Sequence, residues 1–213
     1  MIQGLHSFVR SALFALVALL ASAQAAPGPR TVMIFGDSLS AAYNLSADQG
    51  WVHILGDRIA QAKLPWVVVN ASISGETTAG GLRRLAEDLK RHKPAIVVIE
   101  LGANDALRGQ AVAGMRTNLE EMIRLARRAR AEPVLVGLMI PPNYGIEYAA
   151  QFRDMYAAIA AKQKVAFVPF LLEGIADKPE LFQADGLHPI AQAEARVADN
   201  VWAKLEPVLR AAK

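Results

Sequence analysis

The sequence has 213 residues, which is long enough for one α/β domain with a sizeable apolar core. It contains no cysteine, so disulfide bonds and cysteine chemistry are excluded. The 23 Lys and Arg against 20 Asp and Glu give a formal net charge of +3, which is too small to indicate nucleic acid or another charge-driven partner.

Residues 1–25 resemble a secretory signal peptide. Arg10 supplies a positive charge before the short apolar run 11–20, and Ala23 and Ala25 are the small residues that a signal peptidase reads. The alternative is a membrane anchor, but the run falls short of the roughly 18 apolar residues that a spanning helix usually needs. We therefore expect cleavage, a periplasmic or secreted protein, and no stable membrane insertion afterwards.

Short apolar runs alternate with helical patterns along the rest of the chain. The runs predict strands at residues 31–35, 66–70, 95–101, 134–138 and 165–168. Apolar residues at helical spacing predict helices at about 51–59, 82–91, 115–130, 148–162 and 189–209. Pro189 is expected in the first turn of the last helix, where its missing N–H would have no partner.

The strands are apolar throughout instead of alternating with polar residues. Such strands, each followed by a helix, predict a parallel sheet that is covered on both faces. Residues 26–213 are therefore expected to form a single domain of the α/β class, a three-layer α/β/α sandwich.

The first predicted strand runs directly into Gly36-Asp37-Ser38. Ligand sites in parallel α/β sheets lie just beyond the carboxyl ends of strands. Ser38 follows such an end, so its hydroxyl could be a nucleophile. Equally, Asp37 or Ser38 could simply cap the following helix. This stretch alone does not decide between the two interpretations.

A catalytic serine needs a base within hydrogen-bond reach, and histidine is the natural base near neutral pH. The chain has four histidines. His6 lies in the expected signal peptide, His53 lies beside the apolar stripe of its helix, and His92 lies in a basic helix end. By elimination, His188 is the candidate base.

Asp185 lies three residues before His188 and is separated from it by Gly186 and Leu187. In a tight turn, the aspartate could meet the imidazole, hold its tautomer and stabilise the imidazolium formed during attack. The alternative is that Asp185 caps the last helix and His188 only packs.

Acyl transfer also needs hydrogen-bond donors for the oxyanion. Gly75 follows the second predicted strand and Asn104 follows the third, so a backbone N–H and a side-chain amide could join the Ser38 N–H there. Each also has an ordinary interpretation as a turn residue. Their occurrence in this order after Ser38 favours the oxyanion interpretation.

Four blocks in this order resemble the SGNH or GDSL hydrolase family. They are GDSLS at 36–40, the turn at Gly75, GAND at 102–105 and DGLHP at 185–189. The resemblance covers about residues 31–209. Within the family, residues 70–75 and 142–145 are most similar to the multifunctional periplasmic acyl-CoA thioesterase, lysophospholipase and arylesterase subgroup of Gram-negative bacteria.

The resemblance implies that Ser38 is the nucleophile, His188 its base and Asp185 the residue that orients the base. It implies an oxyanion hole formed by Ser38, Gly75 and Asn104, on a five-stranded flavodoxin-like sheet. The implied substrates are acyl esters, lysophospholipids and acyl-CoA-type thioesters. No cofactor is expected, and the remaining His, Asp and Glu residues lack zinc-site spacing.

Two alternatives stay open. A carbohydrate O-acetylesterase or an arylesterase could use the same residues, and a binding module could keep the fold without turnover, although the intact catalytic set argues against it. Apolar residues near the predicted site, such as Leu39, Ile73 and Ile146, suggest an acyl-chain groove. A monomer is favoured, with a small-molecule ester or thioester as the only expected partner.

Overall fold

The computed structural model describes residues 28–212, so the expected signal peptide lies outside the described residues. The strands are β1 (Arg30–Gly36), β2 (Trp66–Asn70), β3 (Ile96–Glu100), β4 (Glu132–Val136) and β5 (Ala166–Val168). The helices are α1 (Trp51–Gln61), α2 (Thr78–His92), α3 (Ala103–Leu107), α4 (Val112–Arg128), α5 (Ile146–Gln163) and α6 (Ala191–Ala211). Short 3-10 turns stand at Ala47–Gln49, Pro142–Tyr144 and Pro179–Leu181.

The strands form one parallel five-stranded sheet in the order β2-β1-β3-β4-β5, which confirms the predicted flavodoxin-like α/β architecture. Ile34 of β1 is in register with Asn70 of β2, and Gly36 of β1 is in register with Glu100 of β3. The carboxyl ends of these three strands therefore lie side by side. The loops that follow them meet at one edge of the sheet, where parallel α/β proteins bind ligands.

Helices form a layer on each face of this sheet. Helix α1 contacts α6, and α4 contacts both α2 and α5. Met33 and Ile34 are successive residues of β1 that face opposite layers, and both are fully buried. Burial on both faces explains why the strands are apolar throughout. Within residues 28–212, no helix has the length and apolar character that crossing a membrane requires.

Helix α2 begins at Thr78, earlier than the sequence pattern predicts. The Thr77 hydroxyl caps it by accepting a hydrogen bond from the Gly80 N–H at 3.0 Å. The sequence pattern did not predict this early start because Gly80 and Gly81 are weak helix formers. A Cβ at Gly81 would lie 2.5 Å from Cδ1 of Leu101, so glycine allows the helix to approach the end of β3 closely.

Strand β4 also begins earlier than predicted and includes Pro133. The Glu132 N–H donates to the Ala95 carbonyl at 2.8 Å, so the next nitrogen, that of Pro133, faces away from β3. On that side, pairing with β5 begins only at Val134, which is in register with Ala166. The missing N–H of Pro133 therefore removes no hydrogen bond from the sheet.

Helix α6 begins at Ala191, so the prediction that Pro189 lies in its first turn is wrong. Pro189 lies instead in an extended segment that pairs antiparallel to residues 181–183. The Gln183 N–H donates to the His188 carbonyl at 2.8 Å in this pairing. The resulting hairpin holds His188 ahead of the helix.

Candidate active site

Ser38 lies in a tight turn directly after β1. The Ala41 N–H donates to the Asp37 carbonyl at 2.9 Å, so the chain makes one helical turn as it leaves the sheet. The Asp37 side chain caps this turn, because its Oδ1 accepts the Leu39 N–H at 3.0 Å. Ser38 does not cap; its half-buried hydroxyl contacts another part of the chain.

That contact is with His188, which is 150 residues away in the sequence. The Ser38 Oγ lies 2.8 Å from His188 Nε2. On the other side of the ring, His188 Nδ1 lies 2.7 Å from Asp185 Oδ2. The structure thus brings together the three predicted catalytic residues in one hydrogen-bonded chain.

The turn from Asp185 to His188 is closed by the aspartate itself. Asp185 Oδ1 accepts the N–H groups of Leu187 at 2.9 Å and of His188 at 3.1 Å. Gly186 has a φ of 69°, in the left-handed region that favours glycine. Asp185 therefore caps its own turn, so the alternative that it caps the last helix is wrong.

The same hydrogen bonds keep the Asp185 carboxylate ionised. Partial burial acts to raise its pKa, but the N–H groups of Leu187 and His188 and the imidazole together hold the pKa of Asp185 below its ordinary value. Its negative charge faces the ring nitrogen opposite Ser38, where it stabilises a protonated imidazole.

Tyr43 was not among the site residues predicted from the sequence. It lies in the Ser38 loop and contacts the hairpin that carries His188. Its ring centroid lies 4.4 Å from that of His188. The Gln183 amide donates to the carbonyls of Tyr43 and Pro189, at 2.9 Å each. The Tyr43 ring and the Gln183 hydrogen bonds thus restrain His188 relative to the Ser38 loop.

The Gly75 turn lies beside the Ser38 turn. The Ile73 N–H donates to the Gly36 carbonyl at 3.1 Å, and Gly75 has a φ of 78° that favours glycine. Within residues 28–212, the N–H groups of Ser38 and Gly75 have no hydrogen-bond partner. Two backbone donors are thus available to a ligand.

Asn104 lies in the first turn of α3, a short helix that the sequence did not predict. Its Nδ2 donates to Asp37 Oδ2 at 3.0 Å, which fixes the direction of the amide and leaves its second hydrogen available. Asp37 is 1% exposed, and burial raises its pKa to about 6 against the opposing effect of the Leu39 and Asn104 donors. Asp37 thus links the Ser38 turn to Asn104.

No cluster of three or more His, Asp or Glu side chains suitable for a metal occurs within residues 28–212. A cavity of about 540 Å³ lies between α1 and the edge strand β2, and both apolar residues such as Val68 and polar residues such as Asp57 and Asn70 line it. Its lining does not include Ser38 or His188, so the hydrogen-bonded chain of Asp185, His188 and Ser38 lies outside this cavity.

Comparison with known proteins gives consistent matches. The model of the GDSL-like Lipase/Acylhydrolase family matches residues 34–196. Esterase TesA of Pseudomonas aeruginosa is 46% identical over 205 residues, covering 96% of this chain and 100% of that protein. Thioesterase 1/protease 1/lysophospholipase L1 of Escherichia coli strain K12 is 40% identical, covering 84% of this chain and 85% of that protein.

Solved structures agree with these sequence matches. A crystal structure of TesA superposes with a TM-score of 0.82 at 49% identity, covering 84% of this chain and 99% of that one.

Proposed function

Because the chain belongs to the GDSL-like lipase/acylhydrolase family, and is thus an ester and thioester hydrolase, we propose that it acts through an acyl-enzyme on Ser38. The observation that carries this proposal is the hydrogen-bonded chain from Asp185 through His188 to the Ser38 hydroxyl. This arrangement of nucleophile, base and orienting carboxylate is what acyl transfer requires.

In the first half-reaction, Ser38 Oγ attacks the acyl carbonyl carbon while His188 Nε2 accepts the hydroxyl proton. The imidazolium then donates that proton to the departing alcohol oxygen or thiol sulfur, and the acyl group stays on Ser38. In the second half-reaction, His188 takes a proton from water as the water oxygen attacks the acyl-enzyme. The bond from the acyl carbon to Ser38 Oγ then breaks, the imidazolium returns its proton to Oγ, and the acid is released. Asp185 stabilises the imidazolium in both halves.

The carbonyl oxygen gains negative charge in each half-reaction. We assign the Ser38 and Gly75 N–H groups and the second amide hydrogen of Asn104 as its donors. Their support is that the two N–H groups lack partners within the described chain and that Asp37 already orients the amide. Donors that are fixed before reaction stabilise the transition state more than the ground state.

Asn104→Ala tests both the oxyanion role and the shared mechanism. The kcat should fall roughly 10²–10³-fold with little change in KM, for a p-nitrophenyl ester and for an acyl-CoA alike, because both substrates form the same oxyanion. The matched control is Asn200→Ala, since the Asn200 amide donates at 2.9 Å to the carbonyls of Leu171 and Glu173 far from the cleft. That control should lower Tm and leave kcat unchanged. If Asn104→Ala instead lowers Tm and keeps a near-normal kcat, Asn104 stabilises its turn and is not an oxyanion donor.

The substrates that fit the cleft best carry an apolar acyl chain, as in acyl esters, lysophospholipids and acyl-CoA-type thioesters. Large apolar side chains are exposed at Ile73 (50%) after β2, at Leu187 (38%) next to His188, and at Ile146 (81%) at the start of α5. An acyl chain that covers them removes apolar surface from water and supplies binding energy away from the reacting carbonyl.

We also propose that the enzyme works in the periplasm or outside the cell after residues 1–25 are removed. The support is the sequence pattern of that segment, with small residues Ala23 and Ala25 at its end. N-terminal sequencing of the protein recovered from a periplasmic extract should begin near Ala26. Recovery of the full-length chain with Met1 in the membrane fraction would contradict this location.

A further inference from the structure

A buried glutamate lies directly beneath the nucleophile turn. Glu100 is the last residue of β3, follows four apolar residues of that strand and is 0% exposed. Its Oε2 accepts the Ser40 hydroxyl at 2.6 Å and the Asp37 N–H at 3.3 Å. It therefore binds the turn on both sides of Ser38, although it does not contact Ser38 itself.

The turn has room for this carboxyl group because Gly36 has no side chain. Gly36 is in register with Glu100, and a Cβ there would lie 2.5 Å from Glu100 Oε2 and 2.8 Å from Ser40 Oγ. The hydrogen-bonded pair thus fills the space that a side chain at Gly36 would take. Because Ser40 is itself 1% exposed, water cannot replace either partner without disturbing the turn.

Within residues 28–212, Glu100 has no salt-bridge partner, and its Oε1 has no hydrogen-bond partner. Burial and the neighbouring Asp37 carboxylate raise the pKa of Glu100 well above its ordinary value. A neutral acid is also far less costly to bury than an unpaired carboxylate. The burial and the missing salt bridge therefore favour the neutral form of Glu100 over an unpaired carboxylate.

We propose that Glu100 is a positioning residue for ester hydrolysis, holding the turn so that the Ser38 hydroxyl meets His188 and the Ser38 N–H meets the substrate oxygen. Glu100 is also connected to Asn104 through Asp37. The Asp37 N–H donates to Glu100, and the Asp37 carboxylate accepts a hydrogen bond from the Asn104 amide. One buried group thus supports the nucleophile and two oxyanion donors. This role rests on the proposed function of Ser38.

The test compares Glu100→Gln with Glu100→Leu in steady-state kinetics, thermal melting and the rate of Ser38 labelling by a fluorophosphonate. Glutamine keeps a neutral acceptor for Ser40 and Asp37, so kcat and the labelling rate should stay near wild type. Its amide nitrogen would carry two hydrogens without an acceptor where the neutral acid carries one at Oε1, so Tm should fall slightly. Leucine removes the acceptor, and kcat and labelling should fall by about 10²-fold with KM little changed, since a misplacement of about 1 Å can cost that much.

Two further variants keep the proposal testable if Glu100→Leu does not fold. Ser40→Ala removes one of the two hydrogen bonds to Glu100 and should lower kcat and labelling several-fold without changing KM. Glu194→Gln is the matched control, because Glu194 is another buried glutamate, 2% exposed, that accepts a backbone N–H, from Trp51, at 2.8 Å. It should leave kcat unchanged.

Three results would overturn the positioning role: wild-type kcat in folded Glu100→Leu, wild-type kcat in Ser40→Ala, or an equal loss in the Gln and Leu variants. The last would mean that a neutral acceptor does not suffice. A failure of the proposed function has a different signature, because Ser38→Ala would then remain active whatever the Glu100 variants do.

Discussion

Ser38→Ala is expected to remove ester and thioester hydrolysis while leaving the fold intact. The substitution deletes the attacking oxygen, and loss of a nucleophile in a serine, histidine and aspartate set lowers kcat on the order of 10⁶-fold. The fold should persist because Ser38 is only half-buried and its hydroxyl bonds no backbone group of its own turn. The measurement is kcat/KM on a p-nitrophenyl ester and an acyl-CoA, with Tm on the same preparation.

Ser46→Ala is a suitable control, since Ser46 is an exposed serine at the far end of the same loop. It should hydrolyse both substrates at the wild-type rate. A folded Ser38→Ala variant that kept more than about a tenth of wild-type activity would remove Ser38 from the mechanism, given the size of the expected loss.

His188→Ala should lower kcat by a similar factor, because no other base of residues 28–212 lies at hydrogen-bond distance from Ser38 Oγ. The double variant Ser38→Ala/His188→Ala should be no slower than either single variant, since the members of such a unit are strongly non-additive. His53→Ala is the matched control: its side chain is 52% exposed and its nearest carboxylate is Asp57, on its own helix. That variant should keep full activity.

Independent losses that multiply in the double variant would contradict the role of His188 as the base of Ser38. So would a His188→Ala variant with normal Tm and substantial activity, because the hydroxyl would then be activated by some other group.

Much of this site could be predicted from the sequence because parallel sheets place strand ends together. Ser38, Gly75 and Asn104 each follow an apolar run, and such runs predict buried strands whose carboxyl ends share one edge. His188 followed by elimination among four histidines. The prediction of a GDSL-type ester and thioester hydrolase is confirmed by the family match and by the named relatives.

The features that the sequence did not predict depend on long-range contacts. The antiparallel pairing that keeps Pro189 out of α6 involves backbone groups of residues 181–183, and no local propensity reports it. Glu100 meets Ser40 across 60 residues of chain, so its role beneath the nucleophile appears only when β1 and β3 lie side by side. One sequence signal did exist: Glu100 is a carboxyl group at the end of a strand that is otherwise apolar.

Asp37 shows why a motif position can have more than one function. The sequence could only suggest that Asp37 or Ser38 caps a turn, and Asp37 does cap it through Oδ1. Its Oδ2 accepts the Asn104 amide, a contact between residues 67 apart. Local and distant roles are thus combined in one carboxylate.

The most direct test of Ser38 as the nucleophile is its covalent trapping. The purified enzyme is treated with a fluorophosphonate, its intact mass is measured, and the modified residue is located by peptide mapping. One adduct per chain is expected, on Ser38; it should be absent in Ser38→Ala and form far more slowly in His188→Ala. An adduct on another residue of the active wild-type enzyme, or full activity after complete labelling, would contradict it.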